Sequence, residues 1–251
     1  MPTMGTYLLV HGGFAGGWYW AEVARSLEQL GHRALVIDQL PSAGPDPLQL
    51  EGLRADADAV RRALDEAGEP VVLVGHSLAG VVIGEVADHP SIVHTVYVGA
   101  FWLPRGTSLM KILGAGPPPD WWFVRDDGVA QVSDDVEVVR QALCADVDPQ
   151  LAEAAVRRLV LQSLASLTTP TTAPDRYHPT TYIILDNDQV IPPSIQEQMA
   201  AAADHIEHLP SSHQPMTSMP DRLAQALSRL SKNFRVGHDS YGVKSRADPA
   251  H

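Results

Sequence analysis

Apolar residues come along this chain in blocks of two alternating kinds. The first kind is a short run dominated by apolar or β-branched side chains, at 6–10, 34–37, 71–74, 92–98 and 181–185. Runs this short, with no polar face, predict strands buried on both sides of a sheet. The second kind spreads its apolar positions at helical spacing. Val23, Leu27 and Leu30 mark a helix over 18–30 closed by Gly31, and a second over 50–67 is closed by Gly68. Further helices are predicted over 78–86, 193–203 and 220–230, with a last strand at 205–209 between the final two. Strand and helix alternate, which predicts an α/β fold: a mostly parallel sheet of about six strands flanked by helices.

The alternation breaks between residues 103 and 179. No clean strand is predicted there. The stretch carries Pro117-Pro118-Pro119, Trp121-Trp122-Phe123 and two helices, over 136–143 and 149–167. A break of this length implies a helical cap inserted over the sheet's edge. The expected organisation is a core of residues 1–102 and 180–231, a helical cap of residues 103–179, and a polar, aperiodic tail of residues 232–251. The tail is expected to be poorly ordered.

Formal net charge is −12 over 251 residues, and Cys144 is the one cysteine. A chain this acidic is not expected to take nucleic acid or an anionic membrane surface as its main partner. One cysteine excludes an internal disulfide, and no apolar run approaches bilayer-spanning length. The opening Met1-Pro2-Thr3-Met4-Gly5 is neither basic nor followed by a leader-like cleavage pattern. The expectation is a cytoplasmic protein, monomer or homodimer, whose partner is a small-molecule substrate.

The predicted strand at 71–74 runs through Gly75-His76-Ser77-Leu78-Ala79-Gly80 into a helix. A serine caught between a buried strand and a helix fits a nucleophile elbow, whose tight turn strains the serine backbone. The residues two before and two after it crowd together and must be small. Gly75 and Ala79 are small, although glycine at both places is the usual pattern. A serine hydroxyl needs a base within reach, and the base needs an acid to hold its tautomer. On a parallel sheet such groups belong in loops after the strands' carboxyl ends. The loop after 181–185 carries Asp186 and Asp188, and the loop after 205–209 carries His213. Serine, aspartate, histidine is the chain order of the α/β-hydrolases.

The chain resembles the α/β-hydrolases, and within them the branch of plant methyl-ester esterases, hydroxynitrile lyases and related bacterial hydrolases. The resemblance rests on His11-Gly12-Gly13-Phe14-Ala15-Gly16-Gly17-Trp18-Tyr19-Trp20, Gly75-His76-Ser77-Leu78-Ala79-Gly80, Asp188-Gln189-Val190-Ile191-Pro192 and His213-Gln214-Pro215-Met216. It covers residues 6–230 in layout. It implies Ser77 as nucleophile, His213 as base and Asp188 as orienting acid, the Asp-x-x-Ile-Pro spacing favouring Asp188 over Asp186. The backbone N–H groups of Leu78 and Gly13 are the expected oxyanion donors, with His11 and His76 as braces. Phe14, Trp102, Trp121, Trp122 and Phe123 are candidates to line the pocket. No cofactor or metal is required: His205 and His208, three apart on a strand, face opposite sides.

The expected activity is cofactor-independent hydrolysis of a small, partly apolar carboxylic ester. Gly13 and Gly16 have the spacing of a dinucleotide-binding turn, but His11 stands where its first glycine belongs. Lyases of the resembling branch carry a threonine and a lysine where this chain has Gly12 and Gln214, which favours hydrolysis over cyanide release. Ligand binding without catalysis, or a cyclisation or dehydration on the same scaffold, is not separated from hydrolysis by the sequence.

Overall fold

The computed structural model describes residues 4–114, 116 and 119–231. In chain order the elements are β1 (Thr6–Val10), α1 (Ala21–Gln29), β2 (Arg33–Val36), β3 (Ala43–Gly44), α2 (Leu53–Ala67), β4 (Val71–His76), α3 (Ala79–Gly84) and β5 (Ile92–Val98). The inserted segment follows with α4 (Leu109–Leu113), β6 (Trp122–Val124), β7 (Val129–Val132), α5 (Val136–Cys144), α6 (Pro149–Val156), β8 (Leu161–Ser163) and α7 (Leu164–Thr168). The core resumes with β9 (Thr180–Leu185), α8 (Pro193–Ala200), β10 (His205–Leu209), α9 (Pro215–Ser218) and α10 (Pro220–Ser231).

Six strands form one sheet in the order β10-β9-β5-β4-β1-β2, with every pairing parallel. Its strands alternate their side chains between two cores, as the two-residue period of a strand requires. Tyr7, Leu9, Val72, Val74 and Val98 face one core together with Leu27 and Leu227. Leu8, Val10, Leu73, Tyr97 and Ile184 face the other, with Val60 and Leu64 of α2. Burial of each such valine or leucine contributes about 1.5–3 kcal/mol. α2 turns Leu53, Ala57, Val60, Leu64 and Ala67 inward and ends where Gly68 adopts φ +66°, the left-handed stop that glycine allows.

β1 lies between β2 and β4, so the chain leaves β1 first to one side and then to the other. Such a reversal opens a crevice beyond the strands' carboxyl ends. The turn after β1 and the serine after β4 meet there, because Val10 is paired with Gly75.

The expectation of a strand-free, wholly helical cap is corrected. β6, β7 and β8 lie within residues 103–179 and join β3 in a four-stranded sheet of order β3-β8-β7-β6, antiparallel throughout. The helix expected over 149–167 stops at Val156, and residues 161–163 become one of the two inner strands of that sheet. The pairing partners Ala43 and Ala130 lie far away in sequence, where local periodicity does not register them. The 18–30 helix begins instead as a 3-10 turn over Gly17–Trp20. The buried carboxylate of Glu85 clasps the returning chain to the core, accepting hydrogen bonds from the N–H of Thr172 and the hydroxyls of Thr171 and Thr172. The tail of residues 232–251 and two prolines of the 117–119 run lie outside the described residues.

Candidate active site

The turn after β4 carries the strain its sequence implies. Ser77 has φ +54°, a conformation that side-chain-bearing residues rarely hold. Gly75 is required by close approach: a Cβ there would sit 2.6 Å from Ile83 Cδ1 and 3.1 Å from the carbonyl oxygen of Ala79. Gly80 lets α3 press onto the chain after β5, since a Cβ would meet the Phe101 carbonyl at 2.5 Å. Ala79, the departure from the usual glycine, is fully buried in the core.

Three distant loops converge at this turn. The Ser77 hydroxyl lies 2.9 Å from His213 Nε2, and His213 Nδ1 lies 2.8 Å from Asp188 Oδ2. All three residues are buried. A carboxylate can only accept, so Nδ1 carries the proton and Nε2 is left to accept from the serine. Asp188 Oδ1 accepts from the N–H groups of Val190 at 2.8 Å and Ile191 at 3.0 Å. This local turn explains the Asp-x-x-Ile spacing, because the side chain caps its own loop. Oδ2 also accepts from Gln196 Nε2 at 2.9 Å. The competing Asp186 is exposed and pairs instead with His208 Nδ1 at 2.7 Å. Gln196 was not singled out from the sequence; it lies on α8, and nothing local distinguishes it from any polar helix residue.

Two further histidines hold the walls. His11 accepts the N–H of Leu40 at Nε2, 3.0 Å, and donates from Nδ1 to the carbonyl of Gly12, 2.9 Å. Burial pushes its pKa down to about 4, so the neutral tautomer that this pattern needs is the stable one. His76 Nε2 donates to the backbone carbonyl of His213 at 2.8 Å. Burial, together with the neighbouring His213 ring, pushes its pKa well down. Gly13 sits against the elbow, where a Cβ would be 3.2 Å from Leu78 Cδ2. The N–H groups of Gly13 and Leu78 meet no hydrogen-bond acceptor among the described residues. The next residue, Phe14, has φ +61°.

A cavity of about 100 Å³ lies over Ser77 and His213, lined by Phe14, Tyr19, Leu78, Trp121, Trp122 and other apolar side chains. Among the described residues no Lys, Arg, Asp or Glu lines it. Trp102 is a correction. Its ring stacks on Tyr97 at 4.4 Å, with the Arg176 guanidinium 4.7 Å from its centre. It lines a separate open cleft of about 870 Å³ that does not reach Ser77. The spacing places Trp102 near the cap, but its ring packs on Tyr97 along that other cleft and is absent from the lining over Ser77. Phe123 is corrected too: it stands 40% exposed on β6. Among the described residues no group of three His, Cys, Asp or Glu side chains is placed to hold a metal ion, and no helix is long and apolar enough to cross a membrane.

A parallel sheet with a strained serine turn beyond its central strand defines a hydrolase of the α/β type. Residues 7–226 match the model of the alpha/beta hydrolase family, and the chain belongs to that family. It is 28% identical to an alpha/beta hydrolase of Aspergillus novofumigatus over 239 residues, covering 88% of this chain and 94% of that one. It is 26% identical to methyl jasmonate esterase 1 of Vitis vinifera, covering 91% and 97%. Among solved structures, a pyrethroid hydrolase from Sphingobium faniae superposes with a TM-score of 0.81 at 25% identity, covering 92% and 98%.

Proposed function

We propose that this hydrolase cleaves a small, uncharged, partly apolar carboxylic ester through Ser77, His213 and Asp188. The observation that carries the proposal is the unbroken line of hydrogen bonds from the Ser77 hydroxyl through the imidazole to the Asp188 carboxylate, buried throughout. His213 takes the serine proton as Oγ attacks the ester carbonyl. The N–H groups of Gly13 and Leu78 receive the oxyanion. Asp188 holds the tautomer and stabilises the imidazolium. Collapse expels the alcohol, protonated by His213, and leaves an acyl-enzyme. Water, deprotonated by the same imidazole, then releases the acid.

The lining supports the substrate class. With no Lys or Arg among the described residues lining the cavity, a carboxylate has no side-chain cation there to offset its desolvation, whereas a neutral ester enters at little cost. The same absence favours departure of the ionised acid. Relatives that carry esterase in their names support the ester bond as the target. A Cβ at Gly12 would lie 3.0 Å from Ser77 Cβ, and Gln214 is neutral; neither suits the threonine and lysine of lyases.

The test is a panel of neutral and charged esters assayed with wild type and Ser77→Ala. The expected result is turnover of neutral esters with an apolar acyl group, lost in the variant. Retained turnover in Ser77→Ala would overturn the assignment, and turnover of mandelonitrile without any ester would replace it with a lyase.

A further inference from the structure

The oxyanion turn is held from outside the core, by one buried side chain of the cap. Gln162 is fully buried on β8, the strand paired with both β3 and β7. Its Oε1 accepts the N–H of Phe14 at 3.0 Å. Its Nε2 donates to Ser42 Oγ at 2.8 Å and to Ser166 Oγ at 2.7 Å. Two hydroxyls on the nitrogen and an N–H on the oxygen fix which way the amide faces. Two residues earlier in the cap, the N–H of Val160 donates to the carbonyl of Phe14 at 2.8 Å. Both backbone polar groups of Phe14 are thus spent on the cap.

The consequence follows from peptide planarity. Gly13 sits between two peptide planes. The plane of Gly12 and Gly13 is held by its carbonyl, through His11. The plane of Gly13 and Phe14 is held by its N–H, through Gln162. Glycine alone would leave both torsions at Gly13 free, and Phe14 at φ +61° would relax toward negative φ without its partners. We infer that Gln162 is a positioning residue for hydrolysis: His11 orients the plane that carries the Gly13 N–H, and Gln162, by holding the second plane, anchors the Gly13 Cα that the two planes share, so that the N–H stays seated at the oxyanion site only when the cap is in place. This inference rests on the proposed role of Gly13 in ester hydrolysis.

The test is Gln162→Met, similar in length but without the amide. Competent sites are counted by titration with a fluorophosphonate, and kcat is expressed per titrated site on a p-nitrophenyl ester. The expected result is a fall in kcat per site of about 10- to 100-fold, approaching the loss of one oxyanion donor, with KM within about threefold. The Ki of a trifluoromethyl ketone, which forms an oxyanion on the serine, rises in parallel. A residue that only stabilises the fold would lower the number of titrated sites and leave kcat per site and Ki unchanged; that result overturns the inference. Should Gln162→Met fail to fold, Ser166→Ala decides. It frees one side of the amide, and about a threefold to tenfold loss per site is expected, against no loss if the inference is wrong. Loss of turnover in Ser77→Ala alongside normal kcat per site in the Gln162 variant would refute the positioning role alone; retained turnover in Ser77→Ala would refute the underlying ester reading.

Discussion

Asp188→Asn is a change of one atom whose outcome the hydrogen bonds dictate. Oδ1 of Asp188 accepts two backbone N–H groups, from Val190 and Ile191, so the asparagine carbonyl must take that side. Its NH2 then faces His213 Nδ1 and Gln196 Nε2. The imidazole is forced to accept at Nδ1, its proton moves to Nε2, and Nε2 no longer accepts from the Ser77 hydroxyl. Loss of the working tautomer lowers kcat by about 10⁴-fold, or roughly 5.4 kcal/mol at 1.36 kcal/mol per factor of ten. The donor–donor contact with Gln196 costs about 1–3 kcal/mol of fold stability, read as a shifted urea midpoint. The assay is p-nitrophenyl butyrate hydrolysis, with circular dichroism to establish folding. Asp186→Asn is the control. That side chain is exposed, and its replacement leaves kcat unchanged. A folded Asp188→Asn retaining kcat within about tenfold of wild type would refute the reasoning, as would loss of activity in Asp186→Asn instead.

Other outcomes follow from the same contacts. Gly75→Ala drives a methyl into Ile83; about 1–3 kcal/mol of stability is lost by chemical denaturation, and the displaced serine loses activity. Trp102→Leu, remote from Ser77, removes the stack on Tyr97 and the Arg176 contact, costing about 1–2.5 kcal/mol with kcat/KM unchanged. Trp122→Ala enlarges the cavity over Ser77 and raises KM for aromatic esters by about tenfold, the worth of a lost apolar contact. Asp56, fully buried, has its pKa pushed up to about 6, chiefly by burial, from an ordinary 3.8. The folded chain therefore binds a proton that the unfolded chain releases between those values, and stability falls as pH rises from about 4 to 6, by ~3 kcal/mol when fully ionised. Asp56→Asn removes this dependence, so its stability relative to wild type increases with pH across that window in urea titrations.

The parts of the site written in local sequence were legible there. Val71–Val74 before Gly75-His76-Ser77 announces a buried strand ending in a serine turn, and the Asp188 loop announces itself because the carboxylate caps the next N–H groups of its own chain. β8 of the cap was not legible. Residues 161–163 pair with Ala43 and Ala130, contacts invisible to a helical or two-residue period. Asp127-Gly128 between 122–124 and 129–132, with Gly128 at φ +77°, was a hairpin signal available in the chain. Gln162 and Gln196 carry no signature at all: each matters through partners supplied from elsewhere, Phe14 in one case and Asp188 in the other. Trp102 shows the converse. An aromatic at the start of the cap is a reasonable pocket candidate until its partners, Tyr97 and Arg176, are seen to hold it along another cleft.

The central claim is that the hydroxyl of residue 77 attacks the substrate. The most direct measurement is covalent trapping with a fluorophosphonate, followed by peptide mass mapping of the adduct. The account predicts one adduct per chain, on Ser77, formed at the rate at which ester turnover is lost. An adduct on another residue, or full inactivation with Ser77 unmodified, would contradict it.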